Sequence, residues 1–170
     1  MLYLLDANTL ITAHNTYYAV DRVPEFWDWL VHHGTSGRVK MPIEIYEEVK
    51  GGTGDAEKDK LFDRVQTKAF KNAIVLAEDV DIPTVQAVLA KGYAPDLNDA
   101  EVELIGQDPF LIAYALVEPD KRCVVTGEVS RPSQKRANRR VPDVCASVGA
   151  RSCNIITLIR QLDFTTDWQA

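Results

Sequence analysis

The sequence predicts one α/β domain over residues 1–170, with a mostly parallel sheet. Short apolar runs alternate with stretches of helical periodicity, which is typical of parallel strands joined by helices. The clearest strands, 2–5 and 122–126, both end in polar residues. The chain contains no internal repeat, low-complexity segment or linker, and its 170 residues, 46% of them hydrophobic, are enough to bury a core.

The first strand is predicted at Leu2–Leu5, an apolar run that leads directly into Asp6. Such a run before turn-forming residues is typical of a strand that is buried on both faces. Asp6 would then lie at the carboxyl edge of the sheet, where ligands bind in open α/β folds. The alternative is that Asp6 or Asn8 caps the next helix, since both residue types are good N-caps.

The first half of the chain continues with two helices, an extended piece and a third helix. Helical spacing, first-turn prolines and terminating glycines predict these elements at 10–18, 24–33, 38–41 and 42–50. A turn at 51–55, a charge-mixed helix at 55–72 and a strand at 73–77 are expected to follow.

The second half is predicted from helix caps and apolar runs. Asn98 or Asp99 caps one helix, and Asp108 is the expected N-cap of the next, with Pro109 at its first position. The latter helix, 110–117, is apolar nearly all round and should be buried. The other expected elements are a helix at 82–89, a loop at 92–97, a strand at 122–126, a short turn or helix at 141–145, a strand at 152–153 and an Asn154-capped helix at 155–162.

Charge is distributed unevenly along the chain. The net charge of −6 argues mildly against a general nucleic-acid coat. One stretch of ten residues, 131–140, nevertheless has no acidic residue and is called the basic segment below; its cations are Arg131, Lys135, Arg136, Arg139 and Arg140. It is either a solvated loop or an anion-binding surface, and its turn-forming residues favour an irregular, mobile conformation.

The lengths of the apolar runs and the number of cysteines indicate where the protein is located and which metal sites it lacks. No apolar run is long enough to cross a bilayer, and no signal peptide is recognisable, so we expect the protein to stay in the compartment where it is made. Three cysteines without metal-like spacing indicate buried thiols in a reducing cytoplasm rather than a zinc site.

Four acids occupy positions that a parallel sheet would bring together, and we call them the acidic cluster: Asp6, Glu48, Asp108 and Glu128. Carboxylates do not gather in an apolar setting without cations, because repulsion and desolvation would protonate them. Oxygen ligands without cysteine or histidine indicate Mg²⁺ or Mn²⁺. Glu47 is an alternative to Glu48, although the spacing from Pro42 favours Glu48.

The chain resembles the PIN-domain ribonucleases, and most closely a PIN-like branch found among bacterial toxin–antitoxin pairs. The segments that carry the resemblance span the chain in order; they are 3–11, 42–49, 108–115, 124–128 and 141–145. The resemblance implies a three-layer α/β/α fold and divalent-metal-dependent cleavage of RNA. Its metal-binding and catalytic acids correspond to Asp6, Glu48, Asp108 and Glu128, the last replacing an aspartate that is usual in the family.

The resemblance also suggests supporting roles for three further residues and for the basic segment. Thr9 and Thr126 are expected to hydrogen-bond the ligating carboxylates, and Asn8 to support them or to hold the turn. The basic segment would meet the RNA backbone or dock an acidic segment of an antitoxin. The expected partners are therefore RNA and an antitoxin protein in the cytoplasm, with no membrane and with a homo-oligomer as a further option.

Two alternatives remain at this point. A haloacid-dehalogenase-type phosphatase also begins with a strand that ends in aspartate, but it requires a second aspartate where this chain has Asn8. A catalytically silent PIN-like module that binds RNA or a protein partner is the other, and the presence of all four acids argues against it.

Overall fold

The computed structural model describes residues 1–51 and 60–169, and its fold is the predicted α/β class. A four-stranded sheet in the order β2-β1-β3-β4 is parallel throughout, and helices flank it in a three-layer α/β/α arrangement. The strands are β1 (Leu2–Leu5), β2 (Val39–Lys40), β3 (Arg122–Val125) and β4 (Ser152–Cys153).

The helices fill the connections between these strands. In the first half of the chain they are α1 (Ala7–Thr12), α2 (Pro24–Thr35), α3 (Ile43–Gly51), α4 (Lys60–Gln66) and α5 (Lys68–Ile74). In the second half they are α6 (Ile82–Val88), α7 (Asp99–Ile105), α8 (Asp108–Leu116), α9 (Val141–Val148) and α10 (Ile155–Gln161). Two π-helical segments, Ala13–Tyr17 and Leu89–Tyr93, extend α1 and α6, and a short 3₁₀ helix covers Arg136–Asn138.

The strand order places a topological switch point between β1 and β3. From β1 the chain crosses to β2 on one side, and it later returns to β3 on the other side. The register pairs Leu5 with Val125, so the residues that follow these two strands are neighbours. A crevice at the carboxyl ends of two such strands is the usual ligand position in open α/β sheets.

Helix α8 forms the centre of the core, as its sequence predicts. Its residues from Leu111 to Ala115 are all buried, and it packs against β1, β3, α6 and α9. Since the helix is apolar on every face, it stays stable only between other elements. Its first turn is thereby held at the carboxyl edge of β1 and β3, next to the switch point.

Two expectations in the middle of the chain were wrong. The helix expected at 55–72 begins outside the described residues, and its described part is divided at Thr67, whose side-chain oxygen accepts a bond from the Phe70 amide and starts α5. The strand expected at 73–77 is instead the end of α5 followed by a single bridge between Val75 and Met41. A short apolar run does not distinguish a buried strand from a buried helix end, and here the cap at Thr67 favours the helix.

Smaller differences concern loops, caps and cysteines. The turn expected at 51–55 lies outside the described residues except for Gly51, which ends α3. The loop expected at 92–97 begins inside the second π-helical segment. Asn98 is the N-cap of α7: its side chain accepts a hydrogen bond from the Glu101 amide, and the Glu101 carboxylate accepts one from the Asn98 amide. Cys123 and Cys145 are buried free thiols, while Cys153 is partly exposed. No helix in the described part of the chain combines the length and apolarity needed to cross a membrane.

Candidate active site at the carboxyl edge of the sheet

Asp6 is a buried carboxylate at the end of β1, with only 2% of its surface exposed. Its Oδ2 accepts a hydrogen bond from Thr126 Oγ1 at 2.7 Å, and its Oδ1 accepts one from the Asn8 amide at 3.3 Å. Burial raises its pKa, these hydrogen bonds oppose the rise, and the charge of Glu128 adds to it. Asp6 both caps α1 and faces the other acids, so the two sequence interpretations are compatible.

Two threonines connect the carboxyl ends of the central strands. Besides donating to Asp6, Thr126 Oγ1 accepts a hydrogen bond of 3.1 Å from the Glu128 amide. Thr9 donates to the carbonyl of Val125 at 2.8 Å and, contrary to expectation, bonds to no carboxylate among residues 1–51 and 60–169. Asn8 is exposed and contacts Asp6 through its backbone. Thr126 therefore touches Asp6 directly, whereas Thr9 joins α1 to β3.

Asp108 lies at the start of α8, where it is the first helical residue rather than the expected N-cap; the residue before it, Gln107, makes no side-chain capping bond. Burial raises the pKa of Asp108 to about 8, and the negative charges of Asp6, Glu128 and Glu48 contribute to the rise. The Arg140 guanidinium acts in the opposite direction. The carboxyl group of Asp108 is thus desolvated and lies among like charges.

Glu48 approaches the cluster from α3. The Gln107 amide donates to its carboxylate, while burial and the charge of Asp6 raise its pKa. This approach depends on Gly106, whose φ of 61° turns the chain between α7 and α8 beside the Glu48 carboxylate. Glu47 points elsewhere and pairs with Lys50 on the surface at 3.0 Å.

Glu128 reaches the cluster from the segment after β3, and protein groups hold both of its oxygens. Oε1 accepts from Arg140 at 2.9 Å, and Oε2 accepts from the Val141 amide at 2.7 Å, at the start of α9. Thr126 Oγ1 bonds both the Glu128 amide and the Asp6 carboxylate, and Glu128 and Asp108 line the same cleft, so the Glu128 charge raises the pKa of both aspartates. The four predicted acids therefore converge, with Glu128 already partnered.

The basic segment is irregular, as expected, apart from the short 3₁₀ helix Arg136–Asn138, and three of its arginines tie it to neighbouring elements. Arg136 pairs with Glu101 at 2.6 Å and with Asp96 at 2.7 Å, and Arg139 bonds to the carbonyls of Gly92 and Asp143. Arg140 binds Glu128. The side chains of Arg131 and Lys135, by contrast, are exposed and make no hydrogen bond or ion pair with any residue in 1–51 or 60–169.

Residues 3–166 match the model of the family described as "Domain of unknown function (DUF4411)". The chain belongs to the DUF4411 family. No curated protein and no solved structure matches it. The description of DUF4411 states no activity, so the function has to be argued from the residues of the site.

The acidic cluster of this DUF4411 chain offers carboxylate oxygens, the ligand type that a hard cation such as Mg²⁺ prefers. Asp6, Glu48 and Asp108 carry raised pKa values because their charges are desolvated and adjacent, and a divalent cation would relieve both effects. Their oxygens do not yet form a coordination set, since no group of three or more acidic, histidine or cysteine side chains among the described residues could hold an ion as it stands.

Tyr93 is a residue of this site that the sequence did not predict. It ends the second π-helical segment, and its hydroxyl is buried without a hydrogen-bond partner among the described residues. Burial raises its pKa, and so do the charges of Asp108 and Glu128, which lie nearby. Its position after a glycine, in a stretch expected to be a loop, carried no signal of burial.

Proposed function

We propose that this chain is a divalent-metal-dependent endoribonuclease that hydrolyses phosphodiester bonds of RNA. The observation that carries the proposal is the convergence of four carboxylates at the switch point of a parallel sheet, with Asp6 buried and the pKa of Asp108 raised to about 8. Carboxylates with pKa values raised by desolvation and by neighbouring like charges are characteristic of functional sites rather than of stable cores. The resemblance of the motifs around Asp6, Glu48, Asp108 and Glu128 to PIN-domain ribonucleases supplies the reaction type.

In this proposal each part of the site has a defined task. Asp6, Glu48 and Asp108 hold Mg²⁺ or Mn²⁺, and Thr126 fixes the orientation of Asp6 through its 2.7 Å hydrogen bond. When bound, the cation supplies an activated water and stabilises the charge that develops on the phosphate. If the Glu128 carboxylate separates from the Arg140 guanidinium, it also binds the cation. Otherwise it acts through a water molecule.

The biological setting follows from the same resemblance. We propose a cytoplasmic toxin of a toxin–antitoxin pair, with RNA as substrate, an antitoxin protein as partner and self-association as an option. The basic segment carries the charge that would attract either RNA or an acidic stretch of the antitoxin.

A catalytically silent binding module is the second candidate, and one observation favours it. Both oxygens of Glu128 already have protein partners, one of them the Arg140 guanidinium, so a cation site would have to compete with an internal ion pair.

An RNA cleavage assay distinguishes the two candidates. We expect the wild-type chain to cleave single-stranded RNA with Mg²⁺ or Mn²⁺, to lose activity with a chelator, and to lose it in Asp6→Asn. The matched control is Glu47→Gln, which removes an exposed charge next to Glu48 and should leave cleavage unchanged. Cleavage at wild-type rates by a folded Asp6→Asn protein would exclude the proposed active site.

A further inference from the structure

A cleft of about 360 Å³ opens directly beside the acidic cluster. Its lining combines Leu104 with the amides Gln134 and Asn138, the arginines Arg139 and Arg140, and two members of the acidic cluster. Asp108 and Glu128 therefore belong both to the cleft and to the proposed active site. Whatever occupies this cleft lies next to the reacting group, which makes its lining relevant to substrate choice.

Two amides of the cleft differ from their neighbours in having no internal partner. Arg136, Arg139 and Arg140 are engaged with protein groups, but the side chains of Gln134 and Asn138 are exposed and make no hydrogen bond with the described residues. A side-chain amide offers both a donor and an acceptor, as the edge of a nucleobase does. Leu104 adds an apolar surface that is 65% exposed, an unusual position for a leucine.

The same segment supplies cations for the phosphates that accompany a base. Arg131 and Lys135 are exposed and unpaired within the described residues, whereas Asp108 and Glu128 line the cleft itself. Since Arg139 and Arg140 in the cleft lining are held by Asp143 and Glu128, these two exposed cations are the ones left to attract a phosphate, while the exposed amides remain for the base.

We propose that this cleft is a base-reading subsite that accepts one unpaired RNA nucleotide, with Gln134 and Asn138 hydrogen-bonding the edge of its base against Leu104. The inference rests on the proposed function, because it concerns the substrate of that site. Bases inside an RNA duplex present their edges to the partner strand and cannot enter a cleft, so the substrate class is single-stranded RNA.

Binding of short labelled RNAs tests the subsite independently of cleavage. All proteins carry Asp6→Asn, so the RNA stays intact, and fluorescence anisotropy in Mg²⁺ measures affinity for oligo(A), oligo(C), oligo(G), oligo(U) and a duplex. We expect one homopolymer to bind at least about tenfold more tightly than the weakest, and Gln134→Ala with Asn138→Ala to reduce that ratio to about twofold. The matched control is Asn72→Ala with Gln86→Ala, two exposed helical amides outside the cleft lining.

Each outcome bears on one of the two proposals. Equal binding of all four homopolymers, a preference that survives the double substitution, binding of the duplex as tightly as of single strands, or no RNA binding would overturn the subsite. Failure of the wild-type chain to cleave any RNA would instead overturn the hydrolase, while a base preference that Gln134 and Asn138 determine would still support the subsite.

Discussion

At the scale of single residues, the site is characterised by groups whose burial conflicts with their chemistry. Asp6 is almost fully buried as a carboxylate, Asp108 is desolvated among like charges, and the hydroxyl of Tyr93 has no partner among the described residues. Each of these costs folding free energy, which is the pattern expected where a ligand completes the site.

Replacing Asp108 by asparagine should make the protein more stable at high pH. With its pKa raised to about 8, Asp108 keeps a proton in the folded state that it releases when unfolded. Its contribution to stability is therefore present below its ordinary pKa and is lost as pH rises through about 8. Asparagine has no such loss, so we expect the stability of Asp108→Asn relative to wild type in urea unfolding to increase by about 3–4 kcal/mol from pH 5 to pH 8.

Asp99→Asn is the matched control, because Asp99 is exposed and is the first residue of α7 as Asp108 is of α8. Its effect should stay within a few tenths of a kcal/mol at both pH values. An Asp108→Asn protein that unfolds more easily than wild type at pH 8 would show that this carboxylate serves the fold.

Replacing Tyr93 by phenylalanine should stabilise the protein by about 1 kcal/mol, because it removes a buried hydroxyl that lacks a partner. Tyr46→Phe provides the contrast: the Tyr46 hydroxyl donates to the Val65 carbonyl at 3.0 Å, so its loss should destabilise by about 1 kcal/mol. Urea unfolding of the two variants compares them. Equal destabilisation in both would mean that the Tyr93 hydroxyl is hydrogen-bonded in solution, to a water or to another group.

At the scale of elements, close contacts between helices decide where the site residues lie. The turn at Gly106 brings the Gln107 amide to Glu48, and the packing of α8 on β1 and β3 brings Asp108 to Asp6. Elsewhere in the fold, α2 and α5 approach each other at Gly34, where an added Cβ would lie 2.8 Å from the carbonyl oxygen of Ala73.

Gly34→Ala should therefore destabilise the protein by about 1–3 kcal/mol, although alanine is the better helix former. The added methyl would press on a backbone carbonyl that cannot rotate away, and on Ile74. Gly127→Ala is the control, since its Cβ would have ordinary contacts of 3.7 Å. The midpoint of thermal unfolding reports the difference, and equal midpoints would show that α2 and α5 separate readily.

At the scale of the whole molecule, an acidic protein presents one basic region next to an acidic site. The net charge is −6, and three of the five cations of the basic segment are neutralised or held by protein groups. In the proposed function, attraction to an RNA backbone would therefore depend on the two remaining cations of the segment. This changes which variants test RNA binding.

Arg131→Ala with Lys135→Ala should weaken RNA binding and flatten its dependence on log[salt] by about 1.4, because two phosphate contacts are lost from a single strand. Arg139→Ala with Arg140→Ala should instead lower stability, because these side chains hold Gly92, Asp143 and Glu128. Anisotropy at several salt concentrations, together with urea unfolding, separates the two effects. An unchanged salt slope in the first variant would remove the basic segment from the RNA-binding surface.

The sequence by itself determined the α/β class, the parallel sheet and the acids that meet at its edge. Alternating apolar runs and helical stretches allow few topologies, and polar residues that follow parallel strands necessarily share one edge. The local signal at Asn154 was sufficient to place the cap of α10, whereas the sequence left Asn98 and Asp99 open as caps of α7 and placed the start of α8 one residue late.

The tertiary structure alone decided the partners of these groups. Nothing local predicts that Arg140 binds Glu128, that Gln107 donates to Glu48, or that Tyr93 is buried beside Asp108. The same holds for the run at 73–77, which the cap at Thr67 and packing against α2 made a helix end rather than a strand. Local pattern determines what an element is, whereas desolvation, pairing and pKa depend on residues that are distant in sequence and meet only in the folded chain.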